Sequence, residues 1–184
     1  MPFQPALSSR PRAAHIHHPL TASLFTGFLF LLVLFPAHGA HAQRDPALPD
    51  PSLTPGVLNP AVTPETIDST ICVRGWTATI RPPAAYTGAL KRRQLVQYGY
   101  ADIDPRDYEE DHRVPLEAGG HPSDPRNLWP EPRLGSCPAV QKDQLENFVH
   151  RAICQRRISL AEGQAAFTGD WRAAYLHYLG RSCS

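Results

Sequence analysis

Cysteine is scarce in this chain. There are four in 184 residues, Cys72, Cys137, Cys154 and Cys183, and no two form a C-x-x-C pair. That argues against a zinc knuckle. Charge of one sign is lacking too. The formal net charge is +1, too little for a protein that coats nucleic acid through bulk charge. Local patches still bind phosphate in near-neutral proteins. Lys91-Arg92-Arg93 and Arg151 with Arg156-Arg157 are such patches, although solvated helix faces explain each as well. There is no internal repeat. Gly119-Gly120 is too short to cradle a phosphate and reads as a turn. Glu109 and Glu110 have no accompanying motif that would make them a glycosidase acid–base pair.

Long apolar runs are absent except for one near the start. Arg10 and Arg12 precede an uncharged stretch over residues 20–35, and the small residues Ala40-His41-Ala42 follow it. A basic start, an apolar middle and an A-x-A exit predict a signal peptide over residues 1–42, with Gln43 first in the exported form. An uncleaved anchor is the alternative, but the run is at the short end for a membrane span. No cysteine sits at the exit to take a lipid. All 17 Asp+Glu and all but two of the 18 Lys+Arg follow residue 42, leaving the exported part a formal charge of −1. Four cysteines in an oxidising compartment predict two disulfides, and three pairings are open.

Prolines 46, 49, 51, 55, 60 and 64 crowd residues 43–65. Few aromatic or β-branched residues accompany them, which predicts a semi-extended linker. The globular domain is then residues 66–184, long enough for one modest core. Residues 70–80 are rich in β-branched side chains and predict a strand pair or an irregular strand. Residues 86–98 predict a helix stopped by Gly99. Residues 108–116 predict a strand, with Pro115 marking an edge or an end. Residues 119–125 are a loop and 127–129 a short second strand. Over residues 138–155, Leu145, Phe148, Val149, Ala152 and Ile153 recur at helical spacing. Ser159 and Glu162 form a capping box for the next helix. Residues 170–179 predict a last helix that buries Trp171, Tyr175 and Leu179. Trp76, Trp129 and Trp171 can stack bases, but core packing is the usual role in a small domain.

The chemistry concentrates in residues 108–131, YEEDHRVPLEAGGHPSDPRNLWPE. A carboxylate and an imidazole stand side by side (Asp111, His112), followed by a tight turn, an amide (Asn127) and the long helix. Phosphodiester hydrolysis needs a deprotonated water, a cation to absorb charge on the phosphate, and help for the leaving oxygen. One metal ion serves the last two needs. A histidine titrating near neutrality serves the first. Asp111 offers a hard oxygen suited to a divalent ion, and His112 is the base beside it. Asn127 either orients the imidazole or ligates the ion through its carbonyl oxygen. Neighbours in a regular strand point to opposite faces, so Asp111 and His112 converge only if the strand bulges or ends there. Asp143 and His150 lie seven residues apart, two turns along one helix face. Either can complete a metal site, with packing the competing role for His150. Lys142 and Arg126 are candidates to meet phosphate; His121 lies in the Gly-Pro loop, where an exposed loop histidine is the preferred reading over a substrate contact.

This order of parts resembles the His-Asn-His (HNH) endonucleases, whose core is two strands and a helix around one metal ion. The likeness extends over most of residues 72–178, through CVRGWTATIRPP, Tyr86-Thr87, Leu90-Lys91, Gln94 and Lys142-Asp143-Gln144-Leu145-Glu146-Asn147, to a group of exported bacterial HNH-like proteins. It implies an α+β fold: a small ββα-metal core with additional helices and an N-terminal strand segment, joined by disulfides Cys72–Cys154 and Cys137–Cys183. It carries Asp111 over as the metal-side residue, His112 as the general base and Asn127 as the middle residue. The third metal-side residue normally lies near the helix start. Here an insertion, PEPRLGSCP over residues 130–138, separates Asn127 from the helix, and no His or Asn stands at that place. The implied activity is a periplasmic or secreted, metal-dependent endonuclease acting on DNA more than RNA. Its cofactor would be one divalent ion, Mg²⁺ first, with Zn²⁺, Mn²⁺ and Ni²⁺ open. No stable membrane association is expected after cleavage, and the resemblance specifies no inhibitor or immunity partner. The competing expectation is an exported binding or structural module that keeps the scaffold without turnover. The missing third ligand and the neutral total charge favour it.

Overall fold

Prolines and glycines punctuate the chain into short elements. A computed structural model describes residues 45–183, so the signal-peptide expectation over residues 1–42 lies outside the described residues. The elements are α1 (Trp76–Ile80), α2 (Ala84–Tyr98), β1 (Tyr108–His112), β2 (Leu128–Pro132), α3 (Ala139–Cys154), α4 (Leu160–Thr168) and α5 (Trp171–Leu179). Pro83, with its φ already suited to a helix start, caps α2. Gly99 ends it at φ 68, donating its N–H to the carbonyls of Leu95 and Val96. The capping box of α4 is present, with Ser159 and Glu162 exchanging side-chain and backbone bonds. Asp170 caps α5 by accepting from the Arg172 N–H.

The architecture is mixed α+β, with one two-stranded antiparallel sheet and five α-helices among the described residues. Helix α3 is the hub. Its apolar stripe, Leu145, Val149 and Ile153, is fully buried against Val114, Phe167 of α4, and Trp171 and Tyr175 of α5. Each such side chain contributes about 1.5–3 kcal/mol through removal from water. Two disulfides staple this core, Cys72–Cys154 and Cys137–Cys183. That is the pairing the resemblance implies, and it fits an oxidising, extracytoplasmic environment. In the chain-entropy picture, closing the 82-residue separation of the first bridge contributes about 4.5 kcal/mol at most. Among the described residues no helix is long and apolar enough to cross a membrane.

Two sequence expectations give way. Residues 70–80 are not a strand pair. They form turns and the short helix α1, entered through Gly75 at φ 84. Ile67 and Ile71 turn into the core, and Cys72 is tied to the end of α3. These anchors bend the segment and leave it no partner strand.

The proline-rich stretch is not a free linker either. From Asp45 onward it straps across the domain. Ala47, Thr54 and Val62 are buried, and Trp171 donates its indole N–H to the Ala47 carbonyl (2.9 Å). The N–H of Gly56 bonds Arg126, that of Asn59 bonds Gly119, and that of His121 bonds Val57 (2.8–2.9 Å). Arg113 clamps the strap from beneath, donating to the carbonyls of Thr54, Phe167 and Thr168. Proline-dense sequence has few ladder donors of its own, but it orders when another segment supplies them.

Candidate functional site

Strands β1 and β2 pair in regular register: Tyr108 with Pro132, Glu109 with Glu131, Glu110 with Pro130, Asp111 with Trp129 and His112 with Leu128. β2 thus runs past the expected residue 129 and takes in Pro130 and Pro132. A two-stranded sheet has only edges, where a proline need not donate. The pairing has no bulge at Asp111–His112, and the Arg113 N–H still bonds the Asn127 carbonyl (2.8 Å), so the expected convergence gives way and the two side chains leave opposite faces of the strand. Alternation puts Glu109, Asp111 and Glu131 on one face. Their carboxylate oxygens lie within 4.8 Å of one another.

Helix α3 brings Lys142 to this face. Lys142 was expected at phosphate; instead its side chain is 1 % exposed. Its ammonium donates to Asp111 Oδ2, to Glu146 one turn along the helix, and to the carbonyl of His112. An ammonium has three donors, and these partners use them all. Glu131, 1 % exposed and 3.8 Å away, receives none of them and is hydrogen-bonded instead to Asp111. Burial opposes the charge on Lys142, but the carboxylates of Asp111, Glu146 and Glu131 outweigh it and keep the ammonium protonated. Burial also opposes the charge on Asp111. There Lys142 wins and holds the carboxyl well below its usual range. Glu131 goes the other way, pushed up by burial and by Asp111 beyond what Lys142 offsets. Glu146 is raised by burial to about 8.

His112 is buried at 4 % exposure. Its Nε2 lies 2.9 Å from the Pro122 carbonyl. A carbonyl only accepts, so Nε2 carries the proton and Nδ1 the lone pair. Burial lowers the pKa of the ring further than the neighbouring Asp111 raises it. The imidazole is therefore neutral at pH 7.

The loop that supplies Pro122 is held by Asn127. Fully buried, Asn127 accepts from the Val114 N–H and donates to the carbonyls of Val114 and His121, each at 3.0 Å. The expected roles of this amide, orienting the imidazole directly or ligating an ion, give way to this clamp. All of its strong bonding capacity goes to backbone. Gly119 takes φ +82, and a Cβ on Gly120 would sit 1.8 Å from the Val114 carbonyl oxygen. The Gly-Gly turn is thus a steric requirement of the same loop.

The other expected residues lie apart. His150 bonds the Ile71 carbonyl through Nε2 (2.8 Å) and stands 3.9 Å from Glu117, beside a cavity of about 290 Å³. It does not meet Asp111, because it projects from α3 two turns beyond Lys142. Asp143 is exposed at the rim, where partial burial and the Asp111 charge raise its pKa; it is not among the three clustered oxygens. Arg126 is spent on its own neighbour Asp124 (2.7 Å), and Arg156 on Asp68 (2.6 Å). Lys91 is tied to the carbonyls of Pro105 and Tyr108. Trp129 and Trp171 are core residues.

Sequence reasoning missed Glu131 and Glu146. The signal for Glu131 was strand alternation from Asp111 across the hairpin, hidden because two prolines argued against extending β2. The signal for Glu146 was its i,i+4 spacing from Lys142.

Glu110 faces away from the acidic face. Its buried oxygens have no partner, and burial raises its pKa to about 8. A carboxyl raised in the fold is fully compatible with it below the free value of 4.5, and stability is lost as pH rises from there to about 8. Glu110→Gln removes the buried charge. It is expected to stabilise by roughly 1–3 kcal/mol at pH 9 and to change little near pH 4, below the free carboxyl value. Urea unfolding at both values checks this, and an equal effect at the two would contradict it.

No protein-family model, curated protein or solved structure matches this chain.

Proposed function

We propose that the chain is an exported, metal-dependent endonuclease that hydrolyses phosphodiester bonds, of DNA before RNA, with His112 as the base. One observation carries this reading. The Pro122 carbonyl fixes the proton on Nε2 of a neutral imidazole, so a lone pair stands on Nδ1 at the end of β1, on the residue that follows Asp111. A positioned, neutral imidazole is what removing a proton from water at pH 7 requires. Asn127 serves the reaction at one remove, by holding the loop that orients His112. The hard carboxylate oxygens of Glu109, Asp111 and Glu131, within 4.8 Å of one another, are of the kind that suits a divalent cation. Such an ion, when bound, supplies charge stabilisation at the phosphate and the leaving oxygen. The resemblance of the Asp-His, Gly-Gly and Asn-Leu motifs to HNH endonucleases, and the hairpin followed by α3, support the same reading.

A second reading is favoured by a specific observation. The ammonium of Lys142 already occupies Asp111 Oδ2, and His112 is almost wholly buried. Both suit a module that keeps the scaffold without turnover. The test is incubation of the oxidised protein with supercoiled plasmid and with single-stranded RNA, supplying Mg²⁺, Mn²⁺, Zn²⁺ or Ni²⁺ in turn. Plasmid nicking with at least one ion, abolished by chelator, is the expected outcome. Cleavage of RNA alone would change the substrate, and binding without cleavage would favour the module.

A further inference from the structure

The cavity of about 290 Å³ beside His150 lies where α1, the turn after β1 and α3 meet. Four polar side chains line it: Arg74, Thr77, Glu117 and His150. The Cys72–Cys154 disulfide ties the segment that carries Arg74 and Thr77 to the end of α3. The Ile71 carbonyl accepts from Nε2 of His150 at 2.8 Å. Nε2 therefore carries the proton, and Nδ1 of the neutral ring is an acceptor. It stands 3.9 Å from a Glu117 oxygen, too far for a hydrogen bond. Two acceptors thus stand side by side, and a guanidinium and a hydroxyl share their cavity. Among the described residues no hydrogen bond engages the Arg74 guanidinium, the Thr77 hydroxyl, the Glu117 carboxylate or His150 Nδ1. Arg106, Arg126, Arg133, Arg156 and Arg172 are each paired with a carboxylate. Arg74 is not, although Glu117 lines the same cavity.

We infer that this cavity binds an unpaired guanine of a nucleic-acid strand, with Glu117 and His150 reading its Watson–Crick edge and Arg74 holding an adjoining phosphate. This rests on the endonuclease reading for its role and on the cavity for its existence. Guanine presents two neighbouring donors on that edge, N1–H and the N2 amino group. Adenine and cytosine each present one donor beside a ring acceptor, and thymine or uracil one donor between two carbonyls. Of the common bases, guanine alone meets paired acceptors without setting lone pair against lone pair. The Glu117 carboxylate accepts from N1 and N2, and Nδ1 of His150 accepts the second N2 hydrogen. In a duplex this edge is already paired, so the base enters from a single strand or turned out of the stack. The cavity is at the small end for ligand sites and admits one base, not a pair. His150 lies two turns beyond Lys142 on α3, about 11 Å along the axis. A strand covers that distance in a few nucleotides, so guanine is read a short way from the phosphate that is cut.

The test is a chemical-shift titration of the oxidised protein with 5′-GMP, 5′-AMP, 5′-CMP and 5′-UMP, and with single-stranded thymine pentanucleotides that differ only in the central base. Saturable shifts at Thr77 and His150 are expected, with GMP and the guanine pentanucleotide bound about tenfold or more tighter than their counterparts. Glu117→Gln should abolish that preference, since an amide offers one acceptor oxygen where the carboxylate offers two. Arg74→Met should weaken binding of every base alike, keep the preference and flatten the salt dependence. Glu117 is partly exposed and Arg74 exposed, so the fold should tolerate both changes. No saturable shift, equal affinity for all the bases, or a preference kept in Glu117→Gln would overturn the site. A preference among mononucleotides that is absent from the pentanucleotides would overturn its place on a strand. Guanine preference that depends on Glu117, in a protein that cleaves nothing, would leave the site standing and remove the endonuclease reading. Cleavage without any guanine preference in binding would do the reverse.

Discussion

His112→Ala is expected to lower the rate of plasmid nicking by roughly a hundred- to ten-thousand-fold, the usual contribution of a positioned general base. The fold should tolerate the change. The only side-chain hydrogen bond lost is that to the Pro122 carbonyl, and Asn127 still holds the loop through three bonds of its own. Circular dichroism and Mn²⁺ affinity should therefore stay near wild type. Asp111→Ala should differ by losing ion affinity as well as rate. The pH dependence gives a second readout. The pKa of the ring is lowered, so the base stays neutral to lower pH than a free histidine. The acid limb of the rate profile should fall below the ordinary histidine value of about 6.5. A His112→Ala rate equal to that of wild type would rule out the imidazole as base.

Lys142→Met should cost about 3–5 kcal/mol of stability at pH 8 in the presence of chelator, the usual result of removing one partner from a buried ion pair. Methionine keeps most of the volume and apolar stem, so the loss reports the ammonium. Without it Asp111 and Glu146 lose their buried cation, and the backbone carbonyl of His112 loses a donor. The penalty depends on ionisation. With the ammonium gone, both carboxyls protonate more readily, so the loss should shrink on acidification to pH 5.5. Urea unfolding of both proteins at the two pH values measures this. A difference under about 1 kcal/mol at pH 8 would show that Lys142 does not bear the cluster's charge.

Much of this arrangement is legible in the chain. Gly99, the Ser159–Glu162 box and the 3.6-residue stripe of α3 mark helices that form where local chemistry says they should. The Asp-His step and the Gly-Gly turn mark the hairpin. Tertiary contacts overrode local signals elsewhere. β-branched residues 70–80 curl into turns and a short helix because a disulfide and two buried isoleucines fix their ends. The proline-rich strap orders because residues 119–126 and Arg113 supply hydrogen-bond partners from outside it. The roles of Asn127 and Lys142 could not be read from residue type. An amide can ligate, orient or clamp, and an ammonium can meet phosphate or carboxylate. Burial and the nearest partner decide between these, and both belong to the packed molecule.

The central claim, that the end of the β1–β2 hairpin is a hydrolytic site, is tested most directly by single-turnover nicking. Oxidised wild-type protein is held in excess over supercoiled plasmid at pH 7, with Mg²⁺ or Mn²⁺ and with chelator, so that even slow turnover is seen. The expected result is first-order conversion to the open circle that requires the ion and is lost in chelator. No conversion with either ion, by protein whose circular dichroism and two disulfides are intact, would contradict it.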